Sequence, residues 1–157
     1  MNYNKDFDEA IYQANFTVTE NDGGGNVVLQ VRSENGTRLD ITSILVRMSN
    51  TAASRSVYVD IKDSDDNEIN RFAIGLSLDN NTFVVPHSGN YNYNNKSSAQ
   101  NINLVNGDKL VITAYSMADT EFFRVLIRGR IRGRLPTTST AGSSNTPSLT
   151  TNYARIV

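Results

Sequence analysis

The stretch EFFRVLIRGRIRGRL, residues 121–135, places Phe123, Val125, Ile127, Ile131 and Leu135 on one side of an extended chain. Arg124, Arg128, Arg130, Arg132 and Arg134 fall on the other side. Successive side chains of a β-strand point to opposite faces, so this alternation predicts a strand with one buried and one wet face. Upstream, Asn106-Gly107-Asp108 separates Ile102 and Leu104 from the apolar run Leu110–Met117, and an Asn-Gly pair in that setting is a hairpin signal.

The same period of two recurs further back. Ile44, Val46 and Met48 share one face, then Val57, Val59 and Ile61, then Phe72, Ile74, Leu76 and Leu78. The intervening residues, among them Arg47, Tyr58, Asp60, Lys62, Arg71 and Ser77, are mostly polar. Phe16 with Val18, and Val27 with Leu29 and Val31, flank the Asp22-Gly23-Gly24-Gly25 turn. Turn-rich segments at 49–54, 63–67 and 79–81 break the chain at the spacing of a sandwich. Together these features predict an all-β fold, an antiparallel β-sandwich of about eight strands with no internal repeat.

Three segments depart from that rhythm. In residues 4–14, Phe7, Ala10, Ile11 and Ala14 stand at i, i+3, i+4 and i+7 with acids in the first turn, which predicts a short amphipathic helix. Residues 86–100, PHSGNYNYNNKSSAQ, are nearly devoid of aliphatic side chains and read as a long loop. Residues 136–152 are a Ser/Thr-rich run with Gly and Pro that carries too little apolar surface to order itself alone. The expected division is an N-terminal arm with the helix (1–14), a sandwich domain (15–135) and an extended C-terminal arm (136–157).

Composition narrows the function classes. The chain of 157 residues has no cysteine, so neither a disulfide framework nor a thiolate metal site is available. No apolar run approaches the ~20 residues of a membrane span, and Met1–Glu9 is polar and acidic where a secretion signal is basic and then apolar. Synthesis in a cytoplasm, with no membrane partner, is the expectation. The net charge of −1 conceals a split: residues 1–78 carry twelve acids and seven bases, and residues 79–157 four acids and eight bases. A nucleic-acid binder shows a strong excess of bases overall, and this chain does not.

Catalysis finds little to work with. The single histidine, His87, lies in the 86–100 loop, and no nucleophile-elbow pattern accompanies it. The expectation is a protein that is not an enzyme and holds no cofactor. The acidic run Asp60, Asp63, Asp65, Asp66, Asn67 and Glu68 has oxygens at alternate positions like a calcium loop but lacks its glycine and its later bidentate glutamate. An exposed hairpin turn explains it as well, and no metal site is assigned.

The sharpest feature is Arg128, Arg130, Arg132 and Arg134. On one strand they form a positive ladder at ~6.6–6.8 Å spacing, while Gly129, Ile131 and Gly133 face the other way. Self-repulsion makes such a ladder costly unless acids of the same chain, an acidic partner subunit or nucleic-acid phosphates answer it. Tyr91 and Tyr93, among amides in the loop, suit stacking on a sugar or packing on a sheet. Leu149, Tyr153, Ile156 and Val157 are the apolar points of the polar C-terminal arm and natural anchors for partner contact.

The short β-rich domain, the missing cysteines, the Asn/Ser/Thr-heavy surface, the Asn106-Gly107-Asp108 turn before the penultimate strand and the polar arms resemble small jelly-roll proteins of tailed bacteriophage virions. The resemblance spans residues 15–135 and is closest to capsid decoration or cement proteins. It implies a jelly-roll sandwich, a dimer or trimer, a place in the virion, and contact with the major capsid protein or other virion proteins through arms that reach neighbouring chains. A neck, fibre or tail component shares these features, and a carbohydrate-binding module is the alternative in which Tyr91 and Tyr93 act.

Overall fold

In the computed structural model, residues 9–20, 25–49, 57–74, 82–85, 102–142 and 147–156 are described. They form eleven strands: β1 (Glu9–Thr19), β2 (Gly25–Arg32), β3 (Arg38–Met48), β4 (Val57–Lys62), β5 (Glu68–Ile74), β6 (Thr82–Val85), β7 (Ile102–Val105), β8 (Lys109–Met117), β9 (Phe122–Arg132), β10 (Thr137–Gly142) and β11 (Ser148–Ile156). All pairings are antiparallel. One sheet of six strands runs β11-β1-β9-β3, with β6 and β7 both along the far edge of β3, and a second sheet of five runs β10-β2-β8-β4-β5.

The alternation legible in the sequence becomes the core. From the six-stranded sheet, Tyr12, Phe16, Leu39, Ile44, Phe123, Val125 and Ile127 are buried; from the five-stranded sheet, Val27, Leu29, Val59, Leu110 and Ile112 meet them in one cluster. The chain is therefore a two-sheet sandwich with its apolar faces turned inward.

The helix expected over residues 4–14 is not formed where the chain is described: Glu9–Thr19 is strand β1, and residues 4–8 lie outside the described part. The reason is visible in the burial pattern. Ala10, Tyr12, Ala14, Phe16 and Val18 are all buried on one side, a period of two that continues unbroken into the part already read as strand. β1 also lies between β9 and β11, so its backbone groups are satisfied by two ladders.

The C-terminal segment also departs from the expected arm. β10 pairs with β2 from Thr137–Arg32 to Gly142–Val27, and β11 pairs with β1 from Ser148–Thr19 to Ile156–Ile11. One segment therefore adds an outer strand to each sheet of its own chain. Edge strands need little apolar surface, and threonine's branched β-carbon suits a pleated backbone.

The Asn106-Gly107 turn is built as its sequence demands but does not close a hairpin within one sheet. Asn106 and Gly107 both take positive φ, 48° and 94°, and Asp108 N–H donates to the Val105 carbonyl at 3.0 Å. The flanking strands β7 and β8 nevertheless belong to different sheets. The corner is locked from the β2–β3 connection: Gly107 N–H donates to Ser33 Oγ (3.2 Å) and Gly36 N–H to Asn106 Oδ1 (2.9 Å).

Candidate docking face

Strand β9 runs through the middle of the six-stranded sheet, between β1 and β3. Its inward positions are Phe123, Val125, Ile127, Gly129 and Ile131; Arg124, Arg128, Arg130 and Arg132 are exposed outward, and Arg134 is exposed just past its end. Register assigns each arginine its neighbours. Arg132 stands between Glu9 and Arg38, Arg130 between Ile11 and Asp40, Arg128 between Gln13 and Ser43, and Arg124 between Thr17 and Arg47. Two arginine–arginine pairs, Arg38 with Arg132 and Arg47 with Arg124, therefore sit directly opposite across the ladder.

The glycine between Arg128 and Arg130 has a structural cause. β3 carries a bulge between Ile41 and Ser43, and the extra residue, Thr42, donates its hydroxyl to the Arg128 carbonyl at 3.1 Å. The bulge presses the backbone of Asp40 and Ile41 towards β9, and a Cβ at Gly129 would run into the Asp40 carbonyl oxygen. Gly133, with φ of 99°, ends the strand where a Cβ would come within 2.8 Å of Thr37 Cγ2.

Two carboxylates answer the arginines. Arg130 Nη1 lies 3.6 Å from Glu9 Oε1, and Arg38 Nε donates to Asp40 Oδ1 at 2.8 Å. That hydrogen bond first, and the charge of Asp40 second, hold the Arg38 guanidinium above its ordinary pKa. Arg124 leans on the Phe122 ring, its guanidinium carbon 5.2 Å from the centroid. Among the described residues, no carboxylate lies within ion-pair distance of Arg47, Arg128, Arg132 or Arg134. Glu9, Arg38, Asp40, Arg130, Ile131 and Arg132 line an open depression of about 250 Å³ on this face.

The other sequence candidates fall elsewhere. Leu149 is half-buried against the chain's own core, in register with Val18. The backbones of Tyr153 and Ile156 are paired with Ala14 and Ile11 in β11, the strand beside β1 on the sheet that carries the ladder. Val157, His87, Tyr91 and Tyr93 lie outside the described residues.

At the acidic turn between β4 and β5, Asp63 Oδ1 accepts the backbone N–H groups of Asp65 and Asn67, both at 2.9 Å, and Oδ2 accepts the Asn67 amide at 3.0 Å. The Asn67 side chain, then its backbone N–H, lowers the Asp63 pKa. Asp66, at φ of 69°, accepts from Lys109 Nζ at 2.6 Å. These oxygens hold the turn in shape, and among the described residues no group of three or more His, Cys, Asp or Glu side chains is gathered to hold a metal.

Sequence reading alone missed Glu9, Arg38, Asp40 and Arg47 as parts of this face. The signal was present: all four occupy outward positions of strands that flank the ladder. Compared with known proteins, the chain matches no protein-family model and no curated protein.

Proposed function

We propose that the chain is a non-enzymatic structural protein of a virion, a capsid decoration or cement protein that stabilises the shell by bridging its subunits. It is made in the host cytoplasm and acts as a dimer or trimer on the particle.

The observation that carries this reading is the strand order. With β10 and β11 set aside, the sheets run β1-β9-β3 with β6 and β7, and β2-β8-β4-β5. From β1 to β9 the chain crosses to the opposite sheet at every step but two, the β4–β5 hairpin and the passage from β6 to β7 along the same edge of β3. That order supports a jelly roll, an architecture that viral capsid proteins share with lectins. The outer strands β10 and β11 fit a protein that has to withstand mechanical stress, since one C-terminal segment covers an edge of each sheet. The arginine face supplies a surface for contact beyond the chain.

Particles assembled without this chain test the proposal. They should lose resistance to heat and osmotic shock and regain it when the purified protein is added back. Particles equally resistant with and without it would contradict a cementing role.

A further inference from the structure

We infer that the outer face of the six-stranded sheet, centred on Arg128, Arg130 and Arg132, docks an acidic protein surface through carboxylate–guanidinium pairs. The inference rests on the reading of the chain as a component of an assembly and specifies which face meets the partner.

The argument begins with a cost. Like charges directly opposite on a sheet are unfavourable, and this face has two such pairs, Arg38–Arg132 and Arg47–Arg124. Across the outward positions of β1, β9 and β3, six arginines meet two carboxylates, Glu9 and Asp40. The arginines are held on central strands, so their spacing is set by the sheet: ~6.6–6.8 Å along β9 and ~4.7–4.9 Å across to the neighbouring strands. A fixed array of forked donors is pre-organised for carboxylates, which accept two parallel hydrogen bonds from one guanidinium.

Two features favour a protein over a nucleic acid as the occupant. Glu9 and Asp40 stand within the array and would repel phosphates, whereas a protein partner can offer them a cation. Leu45 and Leu126, paired and half-buried, interrupt the charge with apolar surface, and exposed Ile11 lies beside Arg130. Arginine mixed with apolar side chains is the composition of a protein interface.

A second copy of the chain fits poorly among the described residues. In its densest acidic segment, Asp63 is engaged by its own turn and Asp66 by Lys109, and the exposed Asp65 and Glu68 sit on one two-strand hairpin, narrower than a face three strands wide. The β4–β8 pair adds no acidic surface, because Asp60 is buried and half-buried Lys62 is a cation. The partner is therefore a different protein with a carboxylate-rich surface.

The test uses the full chain with a glutamate-rich Glu/Lys/Tyr copolypeptide and oligothymidylate of matched net charge as probes, in low salt, by fluorescence anisotropy. The copolypeptide should bind more tightly. Its affinity should fall beyond detection in the triple variant Arg128→Glu, Arg130→Glu, Arg132→Glu. The charge-conserving triple lysine variant should lose about tenfold, because it loses the forks. Lys62→Glu, on the other sheet, should change nothing. Circular dichroism melts establish that each variant is folded, so a loss of binding reports the face. Tighter binding of oligothymidylate, no binding of the copolypeptide, lysine variants equal to the native chain, or self-association that vanishes with the triple glutamate variant would each overturn the inference. None of these outcomes alters the particle-resistance assay, so the two readings fail separately.

Discussion

Arg38 of β3 and Arg132 of β9 stand directly opposite each other on the outer face of the six-stranded sheet, with Glu9 of β1 on the far flank of Arg132. Further along the same two strands, Arg47 and Arg124 repeat the opposition, flanked by Thr17 where Arg132 has Glu9. A sheet built for stability alone would place unlike charges at these positions. The arrangement makes sense where the face is completed by something else.

Replacing Arg47 by Glu turns the second pair into an attractive one. The variant should be stabilised by about 0.2–1 kcal/mol in urea denaturation at low ionic strength, and the gain should shrink in high salt. A destabilised variant would mean that Arg47 already has a favourable environment.

Gly129→Ala forces a Cβ into the Asp40 carbonyl at the β3 bulge. The backbone has to part there, and a loss of about 1–3 kcal/mol is expected from denaturant midpoints. Unchanged stability would mean that the β3–β9 ladder relaxes at no cost.

The turn at Asp63 should show in the pH dependence of stability. Its folded pKa lies below the ordinary 3.8, so its contribution is present above 3.8 and is lost as pH falls through the lower folded value. The difference in denaturation midpoint between the native chain and Asp63→Ala should therefore be largest near neutrality and shrink below pH 3.8. A difference independent of pH would assign the effect to packing instead of to the carboxylate.

A chain ending at Pro136 loses β10 and β11 but keeps the inner strands of both sheets. It should retain a β-type far-ultraviolet spectrum and cooperative unfolding at a lower midpoint. It should also associate more readily, because the edges of β1 and β2 are bared. Non-cooperative unfolding would show that the C-terminal segment belongs to the folding unit.

What the sequence discloses is the part of the fold governed by burial. The strands with strict alternation, such as Val57–Val59–Ile61 and Phe123–Val125–Ile127, are legible because a buried face admits one register. Residues 9–19 mislead because Ala10, Ile11 and Ala14 satisfy a helical spacing as well as a strand, and only the sheet, by seating Tyr12 and Phe16 in the core and leaving Ile11 exposed, decides between them. Residues 137–156 mislead for the opposite reason. Edge strands are held chiefly by backbone pairing, which leaves little apolar signature. The arginine ladder is legible on β9, while its partners on β1 and β3 emerge only once register brings Glu9, Asp40, Arg38 and Arg47 beside it.

The most direct test of the central claim is the location and copy number of this chain on purified particles, by density mapping together with quantitative mass spectrometry. The account predicts many copies repeated over the capsid lattice, each with the face of Arg128, Arg130 and Arg132 turned towards an acidic surface of the shell. Absence from particles would contradict it, and density confined to a neck, fibre or tail would contradict the cementing role.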